Sequence, residues 1–324
     1  MFCYASLMMN VDMPHVVLLA GGSGGARMAK GLAHTLPAEY LTVISNVADD
    51  ETFYGLYVSP DTDSLLYTLC NRINKQGWGI SGDRYRAQNM LKQLGLPVWM
   101  ELGDSDLGMH IWRSLQLSQG KNLTEVTLEA AQYLQAKAKV LPATNDKITT
   151  TLTTANGSLC FQEWFVRERC LPSVLKIDYI GITDAQPSLQ ILSALEAAHL
   201  IILAPSNPWL SIEPILNIPM LRDRLHNRKV PCVAVSPLVG QRAIKGPLVK
   251  LMTDLALPVT IQSIAKQYQS MIDWIVIDRC DQQEKKVLQD MGLQVLVTDI
   301  VIPTIRQAIK LAKQLIELPN TQHI

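Results

Sequence analysis

Short, continuously apolar runs alternate with longer stretches of helical period through the first and last thirds of the chain. A strand that is apolar at every position, rather than at every second one, is buried on both faces, as in a parallel sheet sandwiched between helices. The pattern predicts strands at 16–20 and 41–45 with a helix over about 26–36 between them, and further strands at 177–182, 200–204, 230–236, 274–277 and 295–298 separated by helical runs. That order predicts an α/β, Rossmann-like fold, a mostly parallel sheet with helices on both faces.

The middle of the chain, about 77–172, breaks this rhythm. Helical runs at 83–94 and 123–137 are followed by an alternating stretch at 149–165 around Asn156-Gly157, a strong hairpin signal. We read it as an inserted, lid-like α+β segment of a single domain over 14–324, with the sheet core at about 14–76 and 173–324. Residues 1–13 read as an N-terminal extension. The apolar start lacks a charged n-region and is interrupted by Asp12, Pro14 and His15, so it does not read as a signal peptide. No apolar run is long enough to span a bilayer.

Composition narrows the function classes. Lys plus Arg and Asp plus Glu both number 29, so the chain offers no broad electrostatic footprint for nucleic acid or an anionic membrane, and anion recognition should be local. The six cysteines, Cys3, Cys70, Cys160, Cys170, Cys232 and Cys280, form no Cys-x-x-Cys pair. This favours reduced thiols and a cytoplasmic protein over a zinc site or a disulfide framework.

Local chemistry is concentrated in loops that follow predicted strands, where parallel sheets bind ligands. Gly21-Gly22-Ser23-Gly24-Gly25-Ala26-Arg27 can turn several N–H groups toward an anion ahead of a helix N-terminus. It matches neither the strict dinucleotide fingerprint nor a Walker loop, and a ligand-free tight turn is the alternative. Asp49-Asp50-Glu51 and Ser59-Pro60-Asp61-Thr62-Asp63 offer closely spaced carboxylates for a hard cation such as Mg²⁺, or a helix cap. In 102–110, Asp104 and Asp106 precede His110. Asp106 and His110 share a helix face if the helix starts near Ser105, and a cap with a surface histidine is the plainer reading. Arg113 either completes an anion clamp or sits in solvent. Pro205-Ser206-Asn207-Pro208 presents a hydroxyl and an amide on a rigid turn, suited to a phosphate or a base edge.

Taken in order from His15 onward, these stretches resemble the 2-phospho-L-lactate transferase family of coenzyme F420 biosynthesis. The family's Gly-Gly-Thr-Gly loop and Asn-Thr-x-(Asp/Glu)-Asp turn stand here as Gly21 to Gly25 and Asn46-Val47-Ala48-Asp49-Asp50. Its Ser-Pro-Asp-x-Asp-Thr segment stands as Ser59 to Ser64, and Gly77-Trp78-Gly79, Pro205 to Pro208, Ser236 to Gly240 and Gly246-Pro247 complete the series. The chain departs from the pattern at Ala26-Arg27 for Pro-Lys, at Ser105 for an arginine, and at Asn145 for the first acid of Leu-Pro-Met-(Thr/Ser)-Asp-Asp. Loss of that arginine removes a bidentate partner for phosphate, which bears on the donor.

The resemblance implies an enzyme that moves a phospho acid (2-phospho-L-lactate, phosphoenolpyruvate or 3-phosphoglycerate) from its guanylyl diphosphate to the ribityl hydroxyl of 7,8-didemethyl-8-hydroxy-5-deazariboflavin, releasing GMP. It implies Mg²⁺ on Asp50, Asp61 and Asp63, with Asp63 first for acceptor contact and catalysis. Gly22, Ser23, Gly24 and Arg27 are expected on the donor's phosphates and Ser206 and Asn207 on its guanylyl part. Asp104, Asp106 and His110 are expected near the deazaflavin, on which Trp78, Trp99 or Trp164 could stack, core packing being the alternative. A homodimer is implied as well. The competing class is a non-enzymatic, nucleotide-sugar-binding regulator related to the gluconeogenesis factor. A nicotinamide oxidoreductase fits less well, because the glycine spacing is wrong for it.

Overall fold

The computed structural model of the protein describes residues 13–318, so the N-terminal extension expected over 1–13 lies, but for Met13, outside the described residues. The first half of the chain gives β1 (Val16–Ala20), α1 (Gly22–Ala33), β2 (Leu41–Ser45), a hairpin of β3 (Glu51–Phe53) and β4 (Leu56–Val58), and α2 (Pro60–Leu69). There follow α3 (Arg86–Gln93), α4 (Asp104–Ser118), α5 (Leu123–Tyr133), β5 (Lys139–Pro142), β6 (Thr149–Thr154), β7 (Gly157–Cys160) and β8 (Val174–Ile180). The second half gives β9 (Leu200–Leu203), β10 (Cys232–Val235), the short hairpin β11 (Leu238–Val239) and β12 (Arg242–Ala243), β13 (Trp274–Asp278) and β14 (Gln294–Thr298), and closes with a helix at Ile305–Glu317.

Seven strands form one parallel sheet in the order β14-β13-β10-β9-β1-β2-β5. Alternate residues of each strand feed two cores, one per face: Val17, Leu19, Ile44, Ile201 and Leu203 on one side, Val16, Leu18, Val43, Leu200 and Ile202 on the other. This is the doubly covered α/β architecture expected from the apolar runs. On the second face α1 presents Met28, Ala29 and Leu32 to Leu311, Ala312 and Leu315 of the C-terminal helix and to Leu65 and Leu66 of α2. The chain moves from β1 outward through β2 and β5, then returns to β9 on the other side of β1. The crevice beyond the carboxyl ends of β1 and β9 is therefore the switch point at which such sheets hold ligands.

The structure corrects two boundaries. The stretch read as a sheet-core strand at 177–182 is β8, which pairs antiparallel with β6 in a separate sheet ordered β7-β6-β8. Its exposed Leu175 and Ile180 show a strand covered on one side only. Conversely β5, inside the segment read as an insertion, is the edge strand of the main sheet. The inserted material thus comes in two pieces, α3 and α4 before β5 and the small sheet after it. Asn145 caps this junction: its Oδ1 accepts from both the N–H and the hydroxyl of Thr124 (2.8 Å each), a task for which a neutral amide oxygen suffices.

Candidate active site

A cavity of about 560 Å³ opens over the carboxyl ends of β1 and β9. It is large enough for a nucleotide-sized or tricyclic ligand. One end is the turn after β1. The helix expected from residue 26 begins at Gly22, so the glycines form its first turn. Gly22 has φ +61, a left-handed conformation that suits glycine, and its N–H donates to Asp61 Oδ1 (2.5 Å). Gly21 N–H and C=O are both engaged by the Ser206 hydroxyl (3.4 and 2.7 Å), which ties the loop after β1 to the loop after β9. Ser206 therefore braces the glycine turn as well as lining the cavity. Ser23, Gly24 and Arg27 line it too. Asn207 uses Oδ1 to accept from the Trp209 and Leu210 N–H groups, while its Nδ2 is buried without a partner at the cavity wall.

The acids do not sit as the sequence suggested. Asp50 is turned away from the cavity and accepts from Ser59 Oγ (2.6 Å) and Tyr57 OH (3.0 Å). The neighbouring Asp49 faces the cavity instead. Asn46 Nδ2 bridges Asp49 Oδ1 and Asp61 Oδ2, the latter at 3.0 Å. Burial, then the charges of Asp61 and Asp50, pushes the Asp49 carboxyl well above the ordinary range. Burial likewise raises Asp61 to about 6, against the opposing hydrogen bonds from Asn46 and Gly22. Two buried carboxylates joined by one amide and, among the described residues, in no ion pair form a site for a shared proton or a divalent ion.

Asp63 is different. Both its oxygens are held by the Arg113 guanidinium, Oδ2 at 3.0 Å from Nη1 and Oδ1 paired with Nη2. Arg113 is buried, not in solvent, and although burial opposes its charge the Asp63 carboxylate more than compensates. Asp63 is thus already ion-paired, whereas Asp49 and Asp61 line the cavity without an ion pair among the described residues and Asp50, outside the lining, keeps a buried Oδ1 without a hydrogen-bond partner. The α4 face expected from the Asp106 and His110 spacing forms: His110 Nε2 lies 3.4 Å from Asp106 Oδ1, and Nδ1 lies 3.7 Å from Asp63 Oδ2. Tyr67 OH donates to Asp106 Oδ1 (2.7 Å), and burial with the adjacent acids drives its pKa up.

Asp104 is corrected as an acceptor ligand. It accepts from the N–H groups of Arg86 (3.3 Å) and Ala87 (3.0 Å) and so caps α3, while Asp83 caps α4 through Ser105 N–H (2.8 Å) and Asp106 N–H (3.0 Å). Desolvation works against the Asp83 carboxylate, yet these N–H bonds hold its pKa below the ordinary value. Asp83, not Asp104, lines the cavity. Ser105 is exposed and outside the lining.

The far wall is aromatic. Trp78, Trp99, Phe161 and Phe165 line it, with Trp78 edge-on to Phe165 and Phe161 stacked on Phe165 at 5.2 Å. Trp164 is a core residue, fully buried and donating from Nε1 to the Pro172 carbonyl. Sequence reading named Asp49 only within its acidic cluster and missed Tyr67, Asp83, Arg169 and Lys245 as cavity residues. For Lys245 a signal existed: it directly precedes Gly246-Pro247. Among the described residues no helix is long and apolar enough to cross a membrane, and no group of three or more acids, histidines or cysteines is arranged to hold a metal.

Comparison with known proteins identifies the family. The 2-phospho-L-lactate transferase CofD family model matches residues 16–314. The 2-phospho-L-lactate transferase of Methanosarcina acetivorans is 34% identical over 307 residues, covering 94% of this chain and 99% of that protein. The phosphoenolpyruvate transferase of Streptomyces griseus is 32% identical over 310 residues, covering 94% and 98%. A crystal structure of a UPF0052 family protein from Bacillus halodurans shares the fold, with TM-score 0.62 at 18% identity over 93% of this chain and 98% of that one. With a match that spans the whole sheet and every loop of the cavity, the chain belongs to the 2-phospho-L-lactate transferase (CofD) family of transferases.

Proposed function

We propose that the protein transfers a phospho acid from its guanylyl diphosphate to the terminal ribityl hydroxyl of 7,8-didemethyl-8-hydroxy-5-deazariboflavin. The hydroxyl oxygen bonds to the phosphorus of the phospho acid, the bond from that phosphorus to the bridging oxygen breaks, and GMP leaves. The observation that carries this reading is one cavity with two unlike ends: a glycine turn beside two unneutralised carboxylates, and a flat aromatic wall. Ser23, Gly24 and Arg27 face the donor phosphates, with the Asn207 amide toward the nucleotide. Trp78 and Trp99 offer surfaces on which a deazaflavin ring stacks. His110, which lines the cavity with Nε2 3.4 Å from Asp106 Oδ1, takes the hydroxyl proton. Arg113 holds Asp63 beside the other ring nitrogen.

A divalent cation fits Asp49 and Asp61, because both carboxylates are buried, share one amide donor and are pushed toward protonation. Mg²⁺ is commonly held by one or two carboxylates plus substrate phosphates, so a two-acid set is adequate. Bound there it would neutralise charge on the diphosphate. The chain's own part is to keep Asp49 and Asp61 adjacent through Asn46 and to exclude water with the aromatic wall.

The test is incubation with the deazaflavin, Mg²⁺ and each guanylylated donor (phospholactyl, phosphoenolpyruvyl, phosphoglyceryl), with products identified by mass. The expected result is GMP and a phospho-acid ester of the deazaflavin with at least one donor. Absence of GMP with all three, together with co-purified UDP-sugar, would establish the regulatory binder instead.

A further inference from the structure

The loop after β9 runs into a wide, π-type turn at Pro208–Ile212, which lays Leu210 and Ser211 against the cavity. Bonds in this turn span five residues, from the Ile212 N–H to the Asn207 carbonyl (3.3 Å) and from the Glu213 N–H to the Pro208 carbonyl. The next donor in that series would be residue 214, which is proline and has no N–H. Pro214 therefore offers nothing to the Trp209 carbonyl five residues before it, or to the Leu210 carbonyl four before it. Side chains from two other parts of the chain serve these carbonyls. The Tyr179 hydroxyl, on β8, donates to Trp209 O (2.5 Å), and Asn46 Nδ2 donates to Leu210 O (3.3 Å).

Tyr179 has one hydroxyl hydrogen and two neighbours that ask for one. The Trp209 carbonyl can only accept, so the hydrogen is committed there, and the 3.0 Å contact with Glu213 Oε2 is completed by a hydrogen on the Glu213 carboxyl. Burial favours that neutral acid: it raises the Glu213 pKa against the side chains of Tyr179, Asn217 and Gln267 and the charge of Arg222. Tyr268, on the helix Ile261–Tyr268, adds a buried hydroxyl to the same cluster, its pKa driven up by burial and then by Glu213. Tyr179, Glu213 and Tyr268 all lie outside the cavity lining, and the reaction proposed above uses none of them.

The small sheet also holds the turn that carries the acids. Tyr179 is paired in register with Thr150 of β6, whose N–H donates to the Ala48 carbonyl (2.7 Å), next to Asp49. One edge of this sheet thus grips both sides of the bond from Asn46 to Leu210, and the Asn46 amide in that bond is the one that reaches Asp49 and Asp61. We propose that Tyr179 is a positioning residue for the Asp49 and Asp61 pair: with the Glu213 carboxyl behind it, its hydroxyl holds the Trp209 carbonyl and so keeps the Leu210 carbonyl on the Asn46 amide. The inference rests on the proposed reaction only for the use made of the two acids.

Hydrogen exchange of the full chain, followed by mass in peptides over 46–51 and 207–213, reads the link directly. Tyr179→Phe keeps the ring and removes only the hydroxyl. It should speed exchange in both peptides by about fivefold, as expected for loss of one hydrogen bond, while peptides from β13 and β14 keep the parent's rates. The Ala48 N–H, which donates to Asn46 Oδ1 (3.0 Å), lies in the first peptide and reports on that side chain. Glu213→Gln, whose amide can still donate to the Tyr179 oxygen, should keep the parent's rates in both. Faster exchange confined to 207–213, or equally faster exchange throughout the chain, makes Tyr179 a structural residue only and overturns the proposal. Linked exchange in the two peptides, with Mg²⁺ raising the urea midpoint of neither parent nor variant, leaves the positioning role standing and overturns the cation site on Asp49 and Asp61 instead.

Discussion

Asp61→Asn perturbs the site at its most exposed assumption, the unneutralised charge of the Asp49 and Asp61 pair. Asp61 titrates at about 6 in the fold against an ordinary 3.8. The folded protein therefore binds this proton more tightly than the unfolded chain does. Its stabilising effect is complete below the ordinary value and is lost as pH rises through about 6. At about 1.4 kcal/mol for each pH unit of separation, the parent should lose about 2.4 kcal/mol between pH 4 and pH 7 through this group. Asp49, raised by burial and by the same neighbours, adds loss of the same sign. The amide introduced by the substitution does not titrate. It can still accept from Gly22 N–H, but its NH₂ group meets the Asn46 amide, so the variant starts below the parent at pH 4 and crosses toward or above it at neutral pH. Urea unfolding across that range reads both slopes, and millimolar Mg²⁺ added at pH 7.5 should raise the parent's midpoint while scarcely moving the variant's. Parallel pH profiles for parent and variant would refute the charge argument, and equal stabilisation of both by Mg²⁺ would remove the cation from this pair.

Arg113→Met leaves a buried Asp63 without its partner and should cost about 3–5 kcal/mol in urea, with part recovered in the Asp63→Asn, Arg113→Met double variant. Trp164→Ala should cost about 3–5 kcal/mol because it empties a core site, whereas Trp78→Ala, half exposed on the aromatic wall, should leave the melting temperature nearly unchanged and raise the KM for the deazaflavin. Ser105→Arg should leave the kcat/KM ratios among the three donors unaltered, since position 105 is exposed and outside the cavity lining. A shift in those ratios would show that a long side chain there reaches the donor.

The sheet was legible because burial on both faces makes a strand apolar at every position, and Val16–Ala20 or Leu200–Leu203 can be little else. Strand 177–182 failed for the complementary reason: the run is apolar enough to pass as doubly buried, but Leu175 and Ile180 are exposed and only pairing with β6 decides its sheet. Choosing between Asp49 and Asp50 was beyond the sequence. Adjacent residues on a turn point to different sides, and which side is the cavity depends on Asn46 reaching Leu210 O (3.3 Å) from the other half of the chain. Asp104 failed similarly, since a carboxylate in the first turn of one helix here caps the start of another.

The individual loops were ambiguous because a parallel sheet distributes one site over every strand end. Gly21 meets Ser206, Lys245 meets Gln76, and Asp63 meets Arg113, contacts between residues 185, 169 and 50 positions apart. Each loop taken alone satisfies its own backbone and reads as a turn or a cap. Read in order, they constrain one another, because parallel strands bring their carboxyl ends to one edge whatever the distance in sequence. A departure within one loop must therefore be judged by where it lands. Asn145 accepts from Thr124 with its amide oxygen at a junction outside the cavity, and Ser105 lies outside the lining, so neither position is one that the cavity presents. Arg27 in place of the usual lysine does stand in the cavity, where in the proposed reaction a forked guanidinium would hold a phosphate differently from an ammonium.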